Sequence, residues 1–164
     1  MTEVELRNRT CCFTGHRDLP SDRTKELAKR TAREIRTLII NHGVRFFGVG
    51  GAIGYDTLAA KVLFHLKEME FPYIKVILVY PFDGFTDRWS SVQKVDYRKL
   101  LPKYDKVVCV CDRPCREAYL LRDRHLVDGS AHCITYCTHD YGGTAYTVRY
   151  AKKQGLSVWN IAKE

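Results

Sequence analysis

Six short runs rich in Val, Ile, Phe, Tyr and Cys, at 10–14, 44–49, 74–80, 105–111, 131–137 and 156–161, alternate along the chain with helix-length segments. Nothing narrows the choice of fold more than this alternation. The third run, Ile74-Lys75-Val76-Ile77-Leu78-Val79-Tyr80, is almost continuously apolar, as in strands covered on both faces. Parallel strands need long crossovers, usually helical, and the intervening segments supply them. In 54–70, Leu58, Val62, Leu66 and Met69 share one face at helical spacing. Segment 21–42 offers Ser21 or Asp22 as an N-cap, then Leu27, Ile35, Leu38 and Ile39, with Gly43 as a stop. Segment 114–127 opens with Pro114 in its first turn, and 143–154 closes with Lys152, Lys153 and then Gly155. The pattern predicts one doubly wound α/β domain over 10–162, with a mostly parallel sheet of about six strands and helices on both faces. Residues 1–9 read as an N-terminal extension. No repeat, linker or low-complexity stretch interrupts the series.

The composition agrees with a globular chain. Of 164 residues, 45% are hydrophobic and 28% charged, which excludes long disorder. No apolar run approaches the roughly 18 residues of a membrane span. Met1 to Arg9 contains no apolar signal region and the C-terminus no prenylation motif, so the expected location is the cytoplasm. Seven cysteines cannot all pair, and reduced thiols are expected.

Charge is more informative. Twenty-seven Lys and Arg against 19 Asp and Glu give a net +8, which points to an anionic partner: nucleic acid, a membrane surface or a phosphorylated small molecule. The surplus is dispersed. Residues 1–45 carry ten basic and six acidic groups, 88–124 carry ten and five, and 46–87 are net acidic. With no basic tail, nucleic acid is the weaker reading, and a membrane partner is not expected.

In doubly wound folds ligands bind beyond the carboxyl ends of the strands, so the loops that follow each run hold the candidates. The first is Thr14-Gly15-His16-Arg17, where a glycine permits close backbone approach, Arg17 can fork onto a phosphate and His16 can donate a hydrogen bond. A plain turn with a solvated arginine is the alternative. The second is Gly48-Val49-Gly50-Gly51-Ala52-Ile53-Gly54-Tyr55-Asp56, running into a helix. Its free N–H groups suit an anion. It lacks the Lys-Ser/Thr of a P-loop, and Ile53 breaks the dinucleotide GxGxxG pattern. Asp56 can hold a ribose hydroxyl or complement the dipole of its own helix.

Tyr80-Pro81-Phe82-Asp83-Gly84 forms a turn, and Phe82 or the later Trp89 can stack on a base or cover the sheet edge. Arg122 and Arg124 lie two apart on a helix, so at most one points at a site. His139-Asp140-Tyr141-Gly142-Gly143-Thr144 places paired glycines and a hydroxyl cap at the last helix, a second anion-receptive N-terminus. Cys109, Cys111, Cys115, Cys133, Cys137 and His139 contain no CxxC, so buried free cysteines are expected rather than a metal. No GxSxG elbow is present.

Taken in order, Thr14-Gly15-His16-Arg17, Gly50-Gly51-Ala52 through Asp56, Tyr80-Pro81-Phe82, Arg122-Asp123, Asp128 and Gly142-Gly143-Thr144 resemble the SLOG superfamily, closest to its YpsA-like branch. The resemblance spans about residues 10–162. It implies a Rossmann-like domain recognising nucleotides or nucleotide-derived ligands of the ADP-ribose type. SLOG relatives include sensors of antiviral systems, the DNA-processing protein of natural transformation, and the LOG phosphoribohydrolases. LOG enzymes carry a glutamate shortly after their glycine loop, where this chain has Tyr146 and Thr147; their arginine is matched by Arg122.

The expected function is therefore non-enzymatic binding, for sensing or sequestering a phosphorylated nucleotide-derived signal, linear or cyclic, in defence or counter-defence. Arg17 and Arg122 would meet phosphates, the amides of Gly50, Gly51, Ala52, Gly54, Gly142, Gly143 and Thr144 would cradle them, and Asp56 would hold a ribose. A LOG-like phosphoribohydrolase and a DNA-binding protein are the rivals. No cofactor or metal is expected, and homo-oligomerisation is compatible with the family.

Overall fold

The computed structural model describes residues 1–163. Strands β1 (Thr10–Gly15), β2 (Phe46–Val49), β3 (Lys75–Tyr80), β4 (Lys106–Cys109), β5 (His132–Tyr136) and β6 (Ser157–Asn160) build one sheet in the order β4-β3-β2-β1-β5-β6. Every neighbouring pair is parallel. The chain steps outward from β1 to β4, then returns to the other side of β1 for β5 and β6. The direction of winding thus reverses between β1 and β5.

Six helices accompany the strands among the described residues: α1 (Glu3–Asn8), α2 (Thr24–His42), α3 (Tyr55–Met69), α4 (Ser91–Leu100), α5 (Ala118–Asp128) and α6 (Gly142–Lys153). Successive strand residues face opposite sides of the sheet. Cys11 and Phe13 of β1 enter the core that Leu27, Ile35 and Leu38 of α2 and Leu63 of α3 complete. Their neighbour Cys12 packs instead with Leu126 and Val127 of α5 and Ala151 of α6. Helices therefore cover both faces of a six-stranded parallel sheet, the α/β architecture that the alternation predicts.

All six strands lie within the predicted runs, except that β1 extends one residue further, to Gly15. Several local expectations need correction. Helix α2 starts at Thr24 with Arg23 as its cap, so neither Ser21 nor Asp22 caps it; the Thr24 hydroxyl instead donates to the Ser21 carbonyl at 3.0 Å. Helix α5 starts at Ala118 rather than Pro114, because its first amide turns back to the Cys115 carbonyl at 3.2 Å. Strand β4 is not covered on both faces: it is the edge of the sheet, and Lys106, Val107 and Cys109 are exposed.

Helix α4 escapes the apolar periodicity because Val92 and Val95 face solvent. Its signature lies elsewhere, in a capping box in which the Ser90 hydroxyl accepts from the Gln93 amide at 3.2 Å and the Gln93 side chain accepts from the Ser90 amide at 3.0 Å. Helix α1 likewise has a Thr2–Glu5 capping box and buries nothing.

Candidate ligand site

Parallel strands place all their carboxyl-end loops on one edge of the sheet, so Gly15-His16-Arg17, the glycine loop after β2, the turn after β3 and the loop after β5 become neighbours there. The segment after β1 is held tightly. Gly54, at φ 80°, lies so close to the Arg17 carbonyl that no side chain fits, and the Tyr55 amide donates to the His16 carbonyl at 3.0 Å. Gly15 is required for a similar reason, since a Cβ there would collide with the buried Tyr55 ring.

His16 bridges the point where the winding reverses. Its Nε2 accepts the Thr138 amide of the β5 loop at 2.8 Å, and its ring stacks on His139 with centroids 4.1 Å apart. His139 stacks in turn on Tyr141, again at 4.1 Å. An accepting Nε2 means that the neutral ring keeps its proton on Nδ1, so His16 donates only from there. Burial, and then His139, hold its pKa below the usual 6.5.

Arg17 lies over the Tyr119 ring at 5.6 Å, Arg122 over the same ring at 5.8 Å, and Phe82 meets its edge at 5.7 Å. Three residues expected from sequence therefore converge on Tyr119, which sequence reasoning missed. Pro81 is buried in the turn beside them and its carbonyl accepts the Cys111 amide at 2.9 Å.

Arg122 is only 5% exposed. Its Nη1 donates to the Gly50 carbonyl and its Nε to Asp123 at 2.7 Å. Two of its nitrogens thus hold the protein together rather than awaiting a phosphate, and Nη2 has no hydrogen bond among the described residues. Arg124 turns the other way, over Tyr146 and Tyr150, so the two arginines do not share a direction, as helix geometry requires. From Asp123 the network continues. Thr147 donates to Asp123 at 3.1 Å and lies 3.0 Å from the Gly143 carbonyl.

Asp56 is buried, and its carboxylate accepts the Ala52 amide at 3.2 Å. Burial raises its pKa to about 6, against the opposing pull of Arg122. The two glycine junctions differ in kind. A Cβ on Gly50 would sit 2.8 Å from Arg122 Nη1 and 2.9 Å from Asp56, and one on Gly51 2.8 Å from Leu78. That loop is already filled by the protein. A Cβ on Gly142 or Gly143 would meet nothing within 4 Å. Thr144 does not cap α6, which corrects the sequence reading: the N-cap is Tyr141, with no side-chain cap bond, and Thr144 lies inside the first turn. The first turn of α6 therefore has no side-chain cap and open space on the Cβ side of both glycines, beside the exposed Tyr141 ring.

Contacts and chain adjacency together close a circuit: Arg17 to Tyr119, then along α5 to Arg122 and Asp123, on to Thr147 and Gly143, along the chain to Tyr141, and through His139 to His16, the chain neighbour of Arg17. Thr14 lies just below, in register with Thr135 of β5. Two cavities flank the circuit. One of about 500 Å³ is lined by Arg17, Lys25, Ile53, Lys61 and Trp89, the other of about 540 Å³ by Thr138, His139, Arg149 and Lys152.

The buried-cysteine reading holds for Cys133 but not for its companions. Cys109 and Cys115 are exposed, and Cys111 and Cys137 half-buried. Among the described residues no group of three or more His, Cys, Asp or Glu is arranged to hold a metal ion.

A parallel sheet in this order, wound in both directions from β1 with its loops gathered at the reversal, defines a Rossmann-like α/β domain. The chain belongs to the YspA SLOG family, whose family model matches residues 13–160. It is 31% identical over 97 residues to the UPF0398 protein ABC2016 of Shouchella clausii, a match covering 59% of this chain and about half, 52%, of that protein. The UPF0398 protein RBAM_020340 of Bacillus velezensis is 25% identical over 132 residues, covering 76% of this chain and 72% of its own. Among solved structures, DNA processing protein A of Helicobacter pylori, studied for its single-stranded DNA binding, superposes with a TM-score of 0.64 at 18% identity, over 96% of this chain and 67% of that one. Its counterpart from Streptococcus pneumoniae gives 0.66 at 18%, over 93% and 50%. At such identity the likeness is one of fold. No helix of the described residues is long and apolar enough to cross a membrane.

Proposed function

We propose that this domain binds a phosphorylated, nucleotide-derived small molecule at the β1–β5 reversal. The observation that carries the reading is the open first turn of α6, with Gly142 and Gly143 unobstructed next to the exposed Tyr141 ring. A helix N-terminus attracts a phosphate through its free amides and dipole. A flat aromatic ring alongside suits a base. Arg17 adds a cation on the opposite side of the circuit. Arg122, Asp123 and Asp56 act as positioning residues that fix the two glycine loops. Neither Tyr146 nor Thr147 offers the carboxylate that N-glycosidic cleavage needs, which favours binding over hydrolysis.

Isothermal titration with ADP-ribose, cyclic ADP-ribose and AMP tests this. Saturable binding that weakens at least tenfold in Gly143→Ala or Arg17→Ala supports it; folded protein that binds none of the three overturns it. Release of free base from AMP in the same samples would favour the hydrolase instead.

The net charge of +8, together with the single-stranded DNA binding of the Helicobacter pylori fold relative, favours DNA as the second reading. Phosphate-backbone binding falls steeply with salt, in proportion to the contacts made. Titrating an oligothymidylate at rising salt therefore separates the two.

A further inference from the structure

We propose that Cys111 and Cys115 form a reversible disulfide that ties the Pro81 turn to the first turn of α5. Their sulfurs lie 3.8 Å apart in the loop between β4 and α5, with Cys115 exposed and Cys111 half-buried. A disulfide needs about 2.05 Å between sulfurs, a movement well within the reach of two side chains in an irregular segment. Neighbouring thiols point elsewhere: Cys109 donates to the Cys111 carbonyl at 3.1 Å, while Cys11, Cys12 and Cys133 are buried in the sheet.

Placement gives the pair its consequence. The Cys111 amide is bonded to the Pro81 carbonyl at 2.9 Å, and the Cys115 carbonyl receives the Ala118 amide at 3.2 Å. Each cysteine is thus anchored to one of the two segments that meet at Phe82 and Tyr119. Closing the bridge draws these segments together and shifts the rings against which Arg17 and Arg122 lie.

The oxidant class is a low-molecular-weight disulfide such as oxidised glutathione. The Cys115 thiolate attacks one of its sulfurs, breaking the glutathione S–S bond and releasing one reduced glutathione. Cys111 then displaces the second from the mixed disulfide. The protein loses two electrons and two thiol protons, and both appear on the two glutathione molecules.

Incubation of the full chain with oxidised glutathione, followed by peptide mapping, tests the proposal. The expected product is two hydrogens lighter, with a peptide linked through Cys111 and Cys115, and dithiothreitol restores the original mass. Cys109→Ser retains the linked peptide; Cys111→Ser and Cys115→Ser each lose it. Amide exchange over 115–122 should change on oxidation while that of β5 does not. A bridge that uses Cys109, a glutathione adduct that never closes, no reaction, or unchanged exchange over 115–122 would overturn the proposal.

Discussion

His16 Nε2 accepts the backbone amide of Thr138 at 2.8 Å, joining the ends of β1 and β5 across 122 residues of sequence. The bond fixes the protonation state of the ring, because an accepting nitrogen cannot carry a proton. With its pKa held below 6.5 by burial and by His139, the folded protein prefers neutral His16 more than the unfolded chain does. That stability is fully present above pH 6.5 and is lost as pH falls through the lowered value. Thermal melts between pH 8 and 5 should show the wild type losing more stability on acidification than His16→Gln, whose side-chain oxygen can accept without titrating. Parallel profiles would refute the assignment.

Asp56 behaves oppositely. Its folded pKa of about 6 lies above the unfolded 3.8, so the fold favours the protonated carboxyl, and stability falls as pH rises from about 4 through 6. Asp56→Asn keeps an acceptor for Ala52 and removes the buried charge. It should be more stable than wild type at pH 7, by up to about 3 kcal/mol, with the difference closing towards pH 4. Urea titrations at both pH values measure this. A gain in stability accompanied by loss of ligand affinity would mean that the charge is kept for binding.

Arg122 holds the Gly50 carbonyl and Asp123 from a buried position. Arg122→Met leaves the carbonyl unbonded and the carboxylates of Asp123 and Asp56 without their cation. Breaking a fully buried pair from one side costs about 3–5 kcal/mol; Asp123 is 23% exposed, so a loss towards the lower end, with a clear drop in the urea midpoint, is expected. Arg122→Lys restores charge but not the fork and should fall between.

The two glycine loops should respond oppositely to alanine. Gly50→Ala drives a methyl against Arg122 and Asp56 and should destabilise by about 1–3 kcal/mol. Gly143→Ala meets nothing and removes backbone freedom from the unfolded chain, so it should stabilise by about 0.5 kcal/mol. Differential scanning calorimetry of the pair distinguishes a filled loop from an open one.

Much of the architecture was legible because burial writes itself into sequence. Continuous apolar runs such as 74–80 mark covered strands, and alternation with helix-length segments leaves a parallel doubly wound sheet as the economical solution. Glycines next to strand ends marked the loops, and helical spacing allowed at most one of Arg122 and Arg124 at a site, while the family resemblance pointed to Arg122. Helix α4 was hidden because its valines face solvent and only the Ser90–Gln93 box announces it. Cys109 carries no mark of exposure, since β4 reads as apolar whether it lies at the centre or the edge.

What sequence determined, then, is the order of elements and the edge of the sheet where chemistry can gather. Which residues meet there is a tertiary result. Strand order brings the loop after β5 beside that after β1, and so pairs His16 with Thr138 and His139. It turns Arg122 inward onto Gly50, fills one glycine loop and leaves the other open. Local pattern records whether a side chain is buried; only the packed chain decides what it is buried against.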